Sequence, residues 1–81
     1  MKIFAIRDSA VESYGRPYFT RSQGEAVRIF MDEAKNTESM INKHPDHFDL
    51  YYLGEYDDNT GSITPAANIE RVARATDFTQ E

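Results

Sequence analysis

Seven residues near the amino terminus combine two kinds of side chain able to handle a nucleotide chain. Arg7, Arg16, Arg21 and Arg28 are cationic, and Tyr14, Tyr18 and Phe19 are aromatic. Single-strand binders use cationic groups to follow phosphates and aromatic faces to stack bases, each stacked base being worth about 1–3 kcal/mol. Here the two types interleave between residues 7 and 28. The plainer alternative is that Tyr18 and Phe19 fill a core while the arginines are solvated. A small sheet with its rings on an open face would decide for binding.

Other constellations are weaker. His44 and His47 are three apart with Asp49 near, and imidazole pairs can hold a metal. Pro45 interrupts the helix that would place both on one face, so a helix stop followed by a polar loop is expected, with no metal. Asp57-Asp58-Asn59-Thr60-Gly61 has the flavour of a calcium loop, yet the closing carboxylate would fall on Asn68. A hairpin turn is the expected reading. No nucleophile elbow, phosphate loop or placeable carboxylate pair occurs, and a chain of 81 residues rarely encloses a catalytic pocket. We expect no enzyme and no cofactor.

The elements that must position these residues read as α+β: a small, mostly antiparallel sheet of three to four strands with one main helix over residues 22–36 packed on one face. Residues 2–6 alternate as a first strand. Pro17 precedes a short edge segment, Tyr18-Phe19-Thr20. Ser22 and Glu25 form a capping box, in which Ser22 accepts from the Glu25 amide and Glu25 reaches back to the Ser22 amide. The helix they open carries Ala26, Val27, Phe30, Met31 and Ala34 on one stripe, with Arg28–Asp32 and Asp32–Lys35 pairs on the solvent side. Residues 38–43 add a helical turn with Met40 and Ile41 inward, and Pro45 opens another turn. Residues 49–56 form a central strand with Leu50 and Tyr52 on one side and Tyr51 and Leu53 on the other. Its large side chains on both faces call for a central position or a covering partner. After the hairpin turn, Ser62-Ile63-Thr64 returns and Pro65 ends the strand. The whole is a single domain. Within it, residues 66–81 fit neither a helical nor a strand period, so a short helix over 67–75 and an extended segment on the sheet both stay open. The last three residues are expected to fray.

Composition sets outer limits. With no Cys, a disulfide scaffold and a thiol enzyme are excluded. The apolar runs are too short to span a bilayer as a helix, and the opening Met1-Lys2-Ile3-Phe4 is charged too early for a signal peptide. A soluble intracellular protein is expected. The formal charge is −5, but residues 1–30 carry five cations against three acids while the remainder carries four against eleven. The acidic whole disfavours strong nonspecific duplex binding, whereas a basic face on the first half stays open. The same asymmetry favours self-association, as a dimer that pools two basic patches.

Three segments, taken in order, carry a resemblance. Asp8, Tyr14 and Pro17-Tyr18-Phe19 come first, and Gly24, Ala26, Arg28 and Phe30 follow on the helix. His44-Pro45-Asp46, Phe48, Leu53-Gly54 and the acidic Thr60-Gly61 turn complete the set. Over roughly residues 3–64 this resembles the small nonstructural protein of gokushoviruses, tailless single-stranded DNA phages of the microvirus group. The resemblance implies a phage early protein in the cytoplasm of the bacterial host. Such a protein would bind DNA and assist the switch from double-stranded replication to single-stranded genome synthesis. It assigns no binding residue; the seven named above are a physical reading. Expected partners are single-stranded DNA, bound weakly per site, and a second copy of the chain. The rival expectation is an interaction module that meets a host or phage replication protein through Asp49, Glu55, Asp57 and Asp58.

Overall fold

Alternating apolar residues along Lys2–Asp8 form strand β1, which becomes an inner strand of the sheet in the computed structural model, where residues 1–79 are described. Four more strands follow: β2 (Ser13–Tyr14), β3 (Tyr18–Thr20), β4 (Phe48–Tyr56) and β5 (Ile63–Arg74). All pair antiparallel, in the order β2-β1-β4-β5, and β3 shares with β2 the edge of β1 that β4 leaves open. The expected α+β architecture is the one observed. The strand count reaches five because two short strands divide one edge.

Helix α1 (Gln23–Lys35) lies on one face of this sheet. Ser22 caps it: its backbone is extended and its hydroxyl accepts from the Glu25 N–H at 3.2 Å. The return half of the box differs from expectation, because the Glu25 carboxylate accepts from the Arg21 N–H at 3.1 Å, one residue upstream of the cap. Ala26, Phe30 and Ala34 are fully buried against Phe4 and Leu50, while Val27 packs at the margin of the core and Met31 is half-buried. Burying a side chain the size of Phe4, Phe30 or Leu50 contributes roughly 1.5–3 kcal/mol, a large share of what so small a domain can gather. The expected Arg28–Asp32 and Asp32–Lys35 contacts do not form. Among the described residues the ion pairs are Lys2–Glu55 at 3.3 Å and Arg71–Asp49 at 3.6 Å.

Helix α2 (Met40–Lys43) is one turn and buries one side only, so Ile41 points inward and Met40, expected inward, is exposed. A 3-10 turn at Pro45–His47 leads into β4. The ring of His44, just before this turn, stacks on that of His47, with centroids 5.7 Å apart.

The return strand departs most from the sequence reading. β5 does not stop at Pro65 but runs on to Arg74, which settles the ambiguous tail as extended chain. β5 is an edge strand, so a residue lacking an N–H can sit in it without breaking a central ladder. The register shows how the period was hidden. Gly54 faces Pro65 while Tyr52 faces Glu70, so residues 66–69 bulge opposite Leu53 alone, and a second slip separates Leu50–Ala73 from Tyr51–Arg71. The chain then enters α3 (Thr76–Thr79), whose Phe78 meets Phe30 edge-on at 6.2 Å. Thr79, expected to fray, belongs to this helix; residues 80–81, which share that expectation, lie outside the described residues.

Candidate nucleic-acid interface

Neighbouring residues of a strand point to opposite faces, so the register sorts the candidate residues. Phe4 and Ile6 of β1, Leu50 and Tyr52 of β4 and Tyr18 of β3 turn toward α1 and join the core. Ile3, Ala5 and Arg7 turn the other way, to the face that no helix covers. Their cross-strand partners turn with them: Phe19 opposite Ile3, Tyr51 opposite Ala5, Tyr14 and Asp49 opposite Arg7. On β5, Arg71 stands opposite Tyr51 and Arg74 opposite Asp49.

The result is a row of rings and guanidinium groups. The Arg7 guanidinium lies over the Tyr14 ring, 5.8 Å from its centroid. Tyr14 meets Tyr51 edge-to-face at 5.6 Å. Arg71 sits beside Tyr51 and holds Asp49 at 3.6 Å. Asp49 thus stands between Arg7 on β1 and Arg74 on β5, with Arg71 bonded to its carboxylate. A polar cleft lined by Asp46, Asp49, Arg71, Arg74 and Thr76 continues this surface toward α3. Near the far end of the same face, Phe19 meets Tyr56 edge-to-face at 5.5 Å. Tyr14 and Phe19 keep 42% and 43% of their surface exposed, enough for a planar ligand to contact either.

Not all seven sequence candidates reach this face. Tyr18 is spent on the helix side: its hydroxyl donates to the Ala26 carbonyl at 2.9 Å, and burial pushes its phenol up to about 12. Arg28 lies two residues, or about 200° of helical rotation, from the buried Ala26, and so projects to solvent beyond the helix, with the whole sheet between it and the rings. Arg16 is exposed in the link between β2 and β3, at the rim of the open face, and Arg21 is exposed between β3 and α1. Arg7, Tyr14 and Phe19 belong to the face itself.

Tyr51, Tyr56, Arg71 and Arg74 were not among the candidates, although Tyr51 carried a signal. It alternates with the core residues Leu50 and Tyr52 on a strand rich in large side chains on both faces. For Arg71 and Arg74 there was none, since two bulges in β5 erase the alternation that would have placed them.

Of the acids of the rival reading, Glu55, Asp57 and Asp58 share the hairpin end of β4. Asp49 lies at the opposite end of β4 from Glu55, whose carboxyl is held below its usual range by a hydrogen bond from the Tyr52 hydroxyl, assisted by Lys2. Asp57 is turned into the hairpin, where its carboxylate accepts from the Asn59 N–H at 2.9 Å and its carbonyl from the Gly61 N–H at 2.7 Å.

No curated protein and no solved structure matches this chain. A family model does match, over residues 1–78, and with nearly its whole length covered the chain belongs to the Phage ORF5 protein family.

Proposed function

We propose that this phage protein binds single-stranded DNA through the helix-free face of its sheet and, in line with the gokushovirus resemblance, assists the switch to single-stranded genome synthesis. The role is one of binding rather than catalysis. The observation that carries the reading is the cluster in which Arg7 covers Tyr14, Tyr14 abuts Tyr51 and Arg71 flanks Tyr51. Cations follow the phosphates and rings accept the bases, the combination that single-strand binders use without reading sequence. A duplex hides its base faces in its own stack, so the rings favour unpaired DNA. The acidic remainder keeps long-range attraction to duplex weak.

Fluorescence anisotropy with a labelled oligothymidylate, beside a duplex of equal length, tests this. Tighter binding of the single strand is expected, weakening as salt rises. Absence of binding at low salt, or preference for the duplex, would overturn the reading.

A further inference from the structure

We propose that the open face carries two separate base-stacking subsites, Tyr14–Tyr51 and Phe19–Tyr56, joined past Arg16, so that its ligand is a single strand of about five nucleotides or more. This rests on the DNA-binding reading above and specifies the length and path of the ligand.

The spacing comes from β1, against which both ring pairs are registered. Tyr14 stands opposite Arg7 and Tyr51 opposite Ala5; Phe19 stands opposite Ile3, and the Tyr56 N–H bonds to the Met1 carbonyl. The centres of the two pairs are thus four residues apart along the strand, or about 13 Å at roughly 3.3 Å per residue. A strand stacked as in a duplex advances about 3.4 Å per nucleotide, so about four steps link one pair to the other. Between them β1 presents Ala5, whose methyl group is fully covered by its neighbours, so a ligand crossing here would run over those side chains.

The edge of the sheet supplies the charge for the span. β2 covers β1 only opposite Arg7 and Asp8, and β3 covers it only from Lys2 to Phe4. The link Gly15-Arg16-Pro17 fills the gap, pinned by the Gly15 N–H on the Ile6 carbonyl at 2.8 Å. Arg16 therefore stands beside the stretch of backbone that must cross from one pair to the other, and Arg7, Arg71 and Arg74 surround the first pair. The occupant that fits exposed rings at both ends and a guanidinium between them is a flexible polyanion with flat bases.

Labelled oligothymidylates of two, four, six and eight nucleotides, titrated against the wild-type protein, Tyr14→Ala, Phe19→Ala and the double variant, provide the test. Affinity should climb steeply between two and six nucleotides. On the six-mer each single substitution should weaken binding about tenfold, and the double about a hundredfold, because the pairs are separate. Tyr14→Phe and Phe19→Tyr retain the ring and should bind as wild type. Independently of any variant, ultraviolet crosslinking of the wild-type protein should place adducts on both pairs. A Phe19→Ala variant that binds the six-mer unchanged, a double variant no weaker than one single, or adducts on one pair only would overturn the two-subsite track while leaving DNA binding in place. Failure of the wild-type protein to bind any length would overturn the underlying reading instead.

Discussion

The Tyr18 hydroxyl donates a 2.9 Å hydrogen bond to the Ala26 carbonyl, tying the inward ring of the edge strand β3 to the first turn of α1. The bond lies on the core side, yet it bears on the opposite face. With Tyr18 fixed inward, strand alternation leaves Phe19 only the outward direction, toward Tyr56. One residue anchors the edge strand, and its neighbour is thereby presented to solvent.

Replacing Tyr18 by Phe keeps the ring and removes the bond. A loss of about 1 kcal/mol is expected at neutral pH, by denaturant titration, because the net value of such a bond is of that order. The pH dependence separates the hydroxyl from the ring. Burial raises the Tyr18 phenol to about 12, above the ordinary value near 10 of the unfolded chain. In that interval the unfolded state has lost a proton that the folded state retains, so stability present below about pH 10 falls as pH rises toward 12. Tyr18→Phe should lack this component. Parallel alkaline stability curves for the two proteins would show that the phenol is not coupled to folding.

Gly54 is the second anchor. It is buried with φ of +154°, and a Cβ built there would stand 2.3 Å from the Thr64 carbonyl and 3.0 Å from the Pro65 Cα. Backbone cannot yield as a flexible side chain would, so Gly54→Ala must force β5 away from β4. A cost at or above about 1–3 kcal/mol follows from the backbone geometry alone, with the clash added. For a domain of this size that lowers Tm by roughly 4–8 °C per kcal/mol. Gly61, with φ of +78° and open space around it, provides the comparison: Gly61→Asn should be nearly neutral, since Asn tolerates that region. Equal Tm values for Gly54→Ala and wild type would show that the strands separate there without strain.

The contrast between these two glycines shows what the sequence discloses. Gly61 was legible, because a polar run of Asp, Asn and Thr before a glycine, between two β segments, is a turn with a mechanism. The α1 stripe was legible because Ser22, Glu25 and a 3.6-residue period agree. Gly54 was not, because its reason lies in a strand ten residues further on, at the edge of a register slip that no local pattern contains. The same slip concealed Arg71 and Arg74, whereas Arg7, Tyr14 and Phe19 were found because they interleave locally. Tyr18 and Arg28 share that local pattern but not that face. Sequence proximity cannot tell adjacent strand residues apart until one side is known to be core, nor a helix cation from a strand cation until the helix is docked.

That sorting makes a prediction about charge. Arg7 and Arg16 belong to the face and rim of the proposed DNA surface, while Arg28 projects from the far side of α1. Each cation that neutralises a phosphate of a single strand contributes about −0.7 to the slope of log K against log salt. With Arg7, Arg16, Arg71 and Arg74 engaged, a slope of about −2 to −3 is expected for wild type. Arg7→Gln and Arg16→Gln should each flatten it by about 0.7, and Arg7→Glu with Arg16→Glu should abolish binding at moderate salt. Arg28→Gln removes the same formal charge from the same acidic protein, so a mere net-charge effect would weaken binding equally. The placement of Arg28 predicts that both its slope and its affinity stay at the wild-type values. Anisotropy titrations across a salt series compare these variants directly, and an Arg28 effect matching that of Arg7 would move the DNA to the helix side of the molecule.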